Sequence, residues 1–290
     1  MAESEVAYFG KDPVPCPVCG TKVFREQMRS GRGRQIAGPL TDELRRHYEE
    51  SKQYGVAYPL LYPVMVCPEC YYAAYHEDFA KPPQEAIASL KSETDTRKNA
   101  LTGLLTPLDF ATHRSLREGV ASYVLATMCY EYFDGEYSPL FKCAVSQLRA
   151  AWLCTDLHHK EPEENFDHLA LVFFRKARYY YNAAVRGEQE GTQALTGARS
   201  LGPDLDKNYG FDGVLYIAGL LEYRYGPRSD ANVRRKALEN AKRTIARIFG
   251  MGKASKNKPA AILDNARAAY DGIAKELGLA NANPEEEEEE

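Results

Sequence analysis

The sequence predicts a mainly α-helical protein in which a small N-terminal β module precedes an array of antiparallel helix hairpins. Two features predict this division. The first part of the chain holds two Cys-x-x-Cys pairs among many Pro and Gly residues and short apolar runs that suit strands. Beyond Pro82-Pro83, apolar side chains instead recur with the period of a helix. The predicted domains are therefore residues 1–81, residues 82–280 and a disordered acidic tail at residues 281–290.

The two cysteine pairs predict a metal site. Each pair places two sulfurs where one tetrahedral ion can take both, and two pairs complete a four-thiolate shell. Cys16, Cys19, Cys67 and Cys70 are the predicted ligands. Zinc is the usual occupant of such a shell, so one structural Zn²⁺ per chain is the predicted cofactor.

Strand-like runs next to the cysteines suggest how each pair is held. Val64-Met65-Val66 leads into the second pair and Lys22-Val23-Phe24 follows the first, as in a zinc-ribbon-like module. The 47 residues between Cys19 and Cys67 exceed the roughly 12–20 of compact zinc modules, so an insertion lies between them. A helix is predicted there over residues 41–53, with Thr as its N-cap and acidic residues in its first turn.

Other metal and redox interpretations of these residues stay open at this point. Cys-Pro-x-Cys also occurs in thiol redox proteins, where it stands at the start of a helix. His47 or His76 is an alternative fourth ligand, although nothing in the sequence favours either. A zinc deaminase is excluded because no His-x-Glu precedes Cys16, and His76-Glu77 lacks the second histidine of a metalloprotease helix.

A second group of polar residues lies further along the chain. His158, His159 and His168 have several acidic neighbours and suggest a metal cluster, although a solvated helix start is the simpler interpretation. The tyrosines at 179–181 suggest a groove lining, but helical spacing favours two in the core and one in solvent. No phosphate-binding glycine loop or Gly-x-Ser-x-Gly sequence is found, so no catalytic residue is predicted.

Five segments carry the pattern of the helical domain. Ser138-Pro139 predicts an N-cap followed by proline at the first helical position. A stripe of residues after it falls on one helix face: Phe141, Ala144, Val145, Leu148, Ala151, Trp152 and Thr155. Further helices are predicted over residues 116–131, 166–186 and 260–277, with a loop at 187–208. The predicted hairpin in between has Gly219, Gly226 and Ala231 at tetratricopeptide-like spacing, where two helices approach closely.

Charge is unevenly distributed along the chain. Four arginines lie between residues 25 and 34, and residues 224–258 hold eleven Lys or Arg against two acidic residues. Such faces attract nucleic acid or acidic protein surfaces, although a solvated helix surface is the simpler interpretation. Residues 285–290 are six glutamates, which would compete with phosphates for the basic segment if the chain binds nucleic acid. Residues 1–10 do not resemble a signal peptide and no stretch has the roughly 20 apolar residues of a membrane span, so a cytoplasmic protein is predicted.

Several of these segments resemble a known family. They are Cys-Pro-Val-Cys-Gly at 16–20, the Arg-rich stretch after it, the second cysteine pair with its Tyr-Tyr-Ala-Ala tail at 62–74, the hairpins around Trp152, residues 215–226 and residues 264–267. They are similar to a bacterial family of uncharacterised proteins, domain-of-unknown-function family twenty-two twenty-five. The resemblance implies a cysteine-pair module joined to tetratricopeptide-like helices and implies no activity.

The functional prediction is a non-enzymatic adaptor. The zinc module would fix the N-terminal strands, and the helix hairpins would present a groove for a protein or peptide partner. A nucleic-acid-binding protein and a thiol redox protein are the two alternatives, and no membrane partner is predicted.

Overall fold

The computed structural model describes residues 6–249 and 260–279. Eight short strands form four two-stranded antiparallel sheets, and the helices follow them in the chain. The strands are β1 (Ala7–Phe9), β2 (Val14–Pro15), β3 (Lys22–Val23), β4 (Glu26–Met28), β5 (Ile36–Leu40), β6 (Arg46–Glu49), β7 (Val64–Val66) and β8 (Ala73–Tyr75). The helices are α1 (Ala86–Ser92), α2 (Thr94–Leu101), α3 (Leu116–Tyr130), α4 (Pro139–Lys160), α5 (Phe166–Glu190), α6 (Gly210–Tyr225), α7 (Ala231–Phe249) and α8 (Ala260–Glu276). The predicted fold class, mainly helical with a small N-terminal β module, is confirmed.

Three hairpins of consecutive strands, and one pair that encloses the first of them, build the N-terminal part. β1 pairs with β4, β2 with β3, β5 with β6 and β7 with β8. The hairpins β2–β3 and β7–β8 each enclose one cysteine pair, as the flanking apolar runs predict. β7 and β8 are buried throughout and pack against α3, which joins the cysteine-bearing strands to the helices.

The prediction of a helix over residues 41–53 is wrong. This segment is the turn and second strand of the β5–β6 hairpin. Thr41 makes the bonds expected of a cap, but within a tight turn: its Oγ1 accepts from the backbone N–H of Arg45 at 3.1 Å, and its carbonyl accepts from Leu44 at 3.0 Å. Leu44 has a left-handed φ of +59° and no exposed surface. Contacts far along the chain override the local helix signal, as described below.

The helices lie close to their predicted bounds. α4 begins at Pro139 and buries nearly the whole predicted stripe, and α3, α5 and α8 occupy the other predicted segments. α5 continues four residues beyond the prediction to Glu190, so the loop begins at Gly191, whose φ is +70°. Ser138 precedes α4, but its hydroxyl donates to the carbonyl of Ala194 instead of capping the helix.

Each helix from α3 to α8 packs against the next one in the chain. α6 and α7 approach closely at Gly219, where an added Cβ would lie 2.4 Å from Cγ1 of Ile245. Only glycine fits such an approach, which agrees with the predicted small-residue position. One continuous set of buried side chains extends from the cysteine pairs to α8. In the part of the chain described, no helix has the length and apolar character needed to cross a membrane.

The domain bounds stay predictions. The structure has strands before residue 81 and helices after it, while a shared set of buried side chains connects them. The predicted acidic tail at residues 281–290 lies outside the described residues.

Candidate metal centre

The structure brings the four predicted cysteines together. Their Sγ atoms all lie within 4.8 Å of one another, with 3.6 Å between Cys16 and Cys70 and 3.5 Å between Cys19 and Cys67. Four sulfurs at 2.3 Å from a tetrahedral ion would stand about 3.8 Å apart. The group therefore could hold one metal ion with little movement of the chain. Cys19 is exposed and the other three are buried.

The two cysteine pairs share the same local geometry. In each, the backbone N–H four residues after the first cysteine donates back to its carbonyl: Gly20 to Cys16 at 2.8 Å and Tyr71 to Cys67 at 2.9 Å. Both donors have a left-handed φ, +81° for Gly20 and +56° for Tyr71. A left-handed backbone costs a residue with a Cβ about 1 kcal/mol, so Tyr71 stores a little strain that Gly20 avoids. The ring of Tyr71 packs edge-on to Phe110 at 5.3 Å between ring centroids, which helps to hold it there.

Hydrogen bonds make the sulfurs of the group unequal. Interactions with the sulfurs of Cys16 and Cys70 lower the pKa of Cys67, despite its burial. The hydrogen bond with Cys67 raises the pKa of Cys16, and the hydrogen bond with Cys16 raises that of Cys70. Backbone N–H groups within each pair also donate to the sulfurs of Cys16 and Cys67. On balance thiolate is favoured at Cys67, whose pKa is lowered, and disfavoured at Cys16 and Cys70, whose pKa values are raised. Thiolate is the form that binds a metal ion.

A buried arginine from α2 lies beside this group, and nothing in the sequence pointed to it. Arg97 is 1% exposed, and its Nη2 and Nε donate to the carbonyl of Cys70 at 2.9 and 3.3 Å. Its Nη1 is buried without a hydrogen-bond partner. A shell of four thiolates around Zn²⁺ carries a net charge of −2, so this guanidinium would offset part of that charge. Arg97 also fixes the turn that bears Cys70.

The setting of the pairs differs from that of redox cysteines. A redox Cys-x-x-Cys motif stands at a helix N-terminus, where the helix dipole stabilises a thiolate. Here each pair lies in a turn between two strands, β2–β3 and β7–β8. Two pairs that face one another also suit one shared ion better than two separate redox centres.

The other candidate ligands stay apart from this centre. Neither His47 nor His76 belongs to the group of four. Among the residues described, the four cysteines are the only His, Cys, Asp and Glu side chains gathered closely enough to hold an ion, so the segment with His158, His159 and His168 forms no second cluster. Of the three adjacent tyrosines, Tyr181 is 1% exposed, Tyr180 packs against the core and Tyr179 is 60% exposed, which confirms the prediction of two inward and one outward.

The β5–β6 hairpin tip connects the N-terminal strands to two helices. Glu43 accepts a hydrogen bond from Nε1 of Trp152 in α4, and its other oxygen lies 3.0 Å from Nη1 of Arg224 in α6. Asp42 also pairs with Arg224, and its carbonyl accepts from the Tyr216 hydroxyl at 2.7 Å. Burial raises the pKa of Glu43 despite these two donors. The insertion between the cysteine pairs thus fixes the N-terminal strands on the helical array.

Comparisons with known proteins show the family of this chain. The family described as "Uncharacterized protein conserved in bacteria (DUF2225)" matches residues 9–273. A protein of Borreliella burgdorferi, itself described as uncharacterised, is 39% identical over 273 residues, which cover 94% of this chain and 98% of that protein. No solved structure matches. The predicted resemblance is therefore confirmed, and the chain belongs to this family of uncharacterised proteins conserved in bacteria.

Proposed function

We propose that the chain is a zinc-stabilised helical adaptor, without enzymatic activity, that binds an acidic segment of a partner protein in a groove between α5 and α7. The groove, of about 790 Å³, has α6 as its floor and is the observation that carries the proposal. The zinc centre gives the N-terminal strands their stability. It would have a structural role because four thiolates leave no position for water or substrate.

The charge of the groove favours an acidic partner. Its lining contains four arginines against one glutamate: Arg178, Arg186, Arg243, Arg247 and Glu222. Nη1 of Arg178 lies 2.8 Å from the Glu222 carboxylate, so this pair is neutral. Among the residues described, Arg186, Arg243 and Arg247 have no carboxylate partner, which leaves three guanidinium groups for a ligand. Arginine binds carboxylates in bidentate geometry, so glutamate and aspartate side chains suit these groups.

The rim of the groove adds two exposed apolar side chains. Tyr179 of α5 is 60% exposed and Val233 of α7 is 50% exposed. An aromatic ring next to arginines is typical of a protein-binding surface. The expected partner segment therefore combines acidic residues with at least one apolar side chain.

The basic segments seen in the sequence are partly used within the fold. The Arg34 guanidinium lies 4.4 Å from the ring centroid of Tyr54, and Arg29 lies 5.1 Å from that of Tyr8. In α7, Arg234 pairs with Glu276 and Lys242 lies 4.7 Å from the Tyr270 ring centroid. These contacts leave fewer cations for phosphates than the sequence suggests. They are the reason that we place the acidic peptide before nucleic acid.

The experiment that tests the adaptor is a capture of partners from native lysate with paired variants. The groove variant carries Arg186→Glu and Arg247→Glu, and the control carries Arg175→Glu and Lys176→Glu on the exposed side of α5. Both variants change the net charge equally. We expect a discrete protein that survives nuclease, binds wild type and the control, and is lost with the groove variant.

Two results would contradict the proposal. Material that disappears after nuclease treatment, with RNA or DNA recovered, would support a nucleic-acid-binding protein, whose affinity falls steeply with salt. Equal loss of the partner in the groove variant and the control would show attraction by net charge alone.

The structural role of zinc is tested separately with a cysteine variant. Cys67→Ser should release zinc and unfold the N-terminal strands, because metal-binding energy is folding energy in such sites. Cys154→Ser is the matched control, since this buried thiol of α4 lies outside the group of four. Retention of zinc and of the wild-type melting curve in Cys67→Ser would refute the assignment.

A further inference from the structure

A second cavity, of about 600 Å³, lies where the N-terminal strands meet the helices. Its walls come from β4, the turn before β7, the residues after β8, the first half of α4 and the loop between α5 and α6. It is separate from the metal centre and shares no lining residue with the α5–α7 groove. Its volume falls within the roughly 300–1,000 Å³ of small-molecule sites.

The cavity contains guanidinium groups that form no salt bridge. Arg25, Arg149 and Arg199 line it, and among the described residues none of them has a carboxylate within salt-bridge distance. Nε of Arg25 is buried without a hydrogen-bond partner, and burial lowers the pKa of this side chain. Arg149 is 5% exposed and donates from Nε to the carbonyl of Pro203 at 2.8 Å. Arg25 is half-buried and Arg199 is exposed, so both can reach a bound anion, which would supply a counter-charge.

The acidic side chains of the lining already have partners. Glu26 lies 2.7 Å from Nδ1 of His113 and 3.7 Å from Nε of Arg114, and Glu77 lies 3.1 Å from Nδ1 of His76. Glu26 thus has Arg114 as its cation, while the negative charge of Glu77 acts on Arg25 and offsets part of the charge of the three arginines. The charge that remains in the cavity is positive.

Much of the remaining lining is apolar, beside polar side chains such as Gln27, Gln35 and Ser200. Phe141 and Val145 of α4 are almost fully buried, and Pro59 and Tyr62 face them from the turn before β7. Leu205 lies in the loop between α5 and α6 and is 47% exposed. An apolar wall opposite arginines suits a ligand with a charged end and a hydrophobic body.

We propose that this cavity binds a small organic anion, a carboxylate, phosphate or sulfonate carried on an apolar or aromatic body. The anionic end contacts Arg25 and Arg199, and the body packs between α4 and Leu205. A ligand seated there touches the strands, α4 and the loop at once, so it would couple the N-terminal module to the helical array.

A pair of fluorescent probes tests the two halves of this recognition. Anilinonaphthalene sulfonate carries one anionic group on an aromatic body, and phenylnaphthylamine has the same body without the charge. We expect one sulfonate probe to bind per chain, and Arg25→Gln and Arg199→Gln each to weaken it by about tenfold. The neutral probe should bind more weakly than the sulfonate probe and equally to wild type and both variants.

Two further variants keep the test independent of any folding defect. Leu205→Glu leaves both arginines in place and adds a negative charge to an exposed position, so it should weaken the sulfonate probe by about tenfold. Arg175→Gln on the exposed side of α5 is the matched control and should leave both probes unaffected. A melting curve of each variant shows whether it folds.

Three results would overturn the proposal. An unchanged sulfonate affinity in Arg25→Gln, Arg199→Gln and Leu205→Glu would place the probe elsewhere. Equal binding of the two probes to wild type would show that charge is not recognised. Full displacement by an equal concentration of inorganic phosphate would show an inorganic-anion site without recognition of an organic body.

Discussion

Leu44 at the tip of the β5–β6 hairpin allows a direct test of how the N-terminal strands are held on the helices. Its side chain is fully buried, so Leu44→Ala should lower the free energy of unfolding by about 3 kcal/mol. Leu44→Gly removes one more buried methyl, worth about 0.8 kcal/mol, but relieves about 1 kcal/mol because φ is +59°. The Ala and Gly variants should therefore differ by less than about 1 kcal/mol. In a helix, glycine would instead be less stable than alanine by about 2 kcal/mol, from propensity and the lost methyl.

The chain provides its own reporter for this experiment. Trp152 is its one tryptophan, is 2% exposed and donates from Nε1 to Glu43 in the same turn. Urea titrations followed by tryptophan emission should show lower midpoints for both variants at an unchanged slope. Leu44→Gly less stable than Leu44→Ala by about 2 kcal/mol would refute the left-handed turn. A wild-type midpoint for Leu44→Ala would refute the burial of this side chain.

Three further predictions concern charge. Burial raises the pKa of Glu43, so the stability that its protonated form contributes is complete below the ordinary carboxyl pKa and is lost as the pH rises through the raised pKa. Wild type should therefore lose stability relative to Glu43→Gln as the pH rises above about 4.5. The opposite slope in urea titrations would contradict this. Arg97→Lys should weaken zinc binding at least about tenfold in a chelator competition, because the paired hydrogen bonds to the Cys70 carbonyl are lost. Lys91→Met is the control and should leave zinc affinity unchanged. Equal zinc affinities of wild type and Arg97→Lys would contradict the role of Arg97. Deletion of residues 285–290 should strengthen binding of nucleic acid or acidic peptide if these glutamates compete for the basic surface, and an unchanged dissociation constant would end that idea.

The parts of the fold that local patterns determine could be predicted from the sequence. The Cys-x-x-Cys spacing and its strand-like flanks predicted the two hairpins around the cysteine group, because residues adjacent in the chain suffice to form a turn between paired strands. The stripe after Pro139 gave α4, since a buried helix face repeats every three to four residues. The small residue at position 219 predicted the close approach of α6 and α7.

The hairpin tip could not be predicted because its stabilising contacts are distant in sequence. Thr41, with acidic residues after it, is a pattern shared by helix starts and tight turns. The choice between them depends on Glu43 meeting Trp152 and Arg224, which lie 109 and 181 residues away. Arg97 was missed for the same reason, because it lies on a polar helix and its role comes only from its position beside Cys70.

The central claim, a closed zinc centre of four thiolates, is tested most directly by X-ray absorption at the zinc edge, with metal content measured on the same purified chain. We expect one zinc per chain with four sulfur neighbours at about 2.3 Å and no nitrogen or oxygen ligand. Zinc bound through oxygen or nitrogen, or a folded chain that neither contains nor takes up zinc, would contradict the assignment of Cys16, Cys19, Cys67 and Cys70 as its ligands.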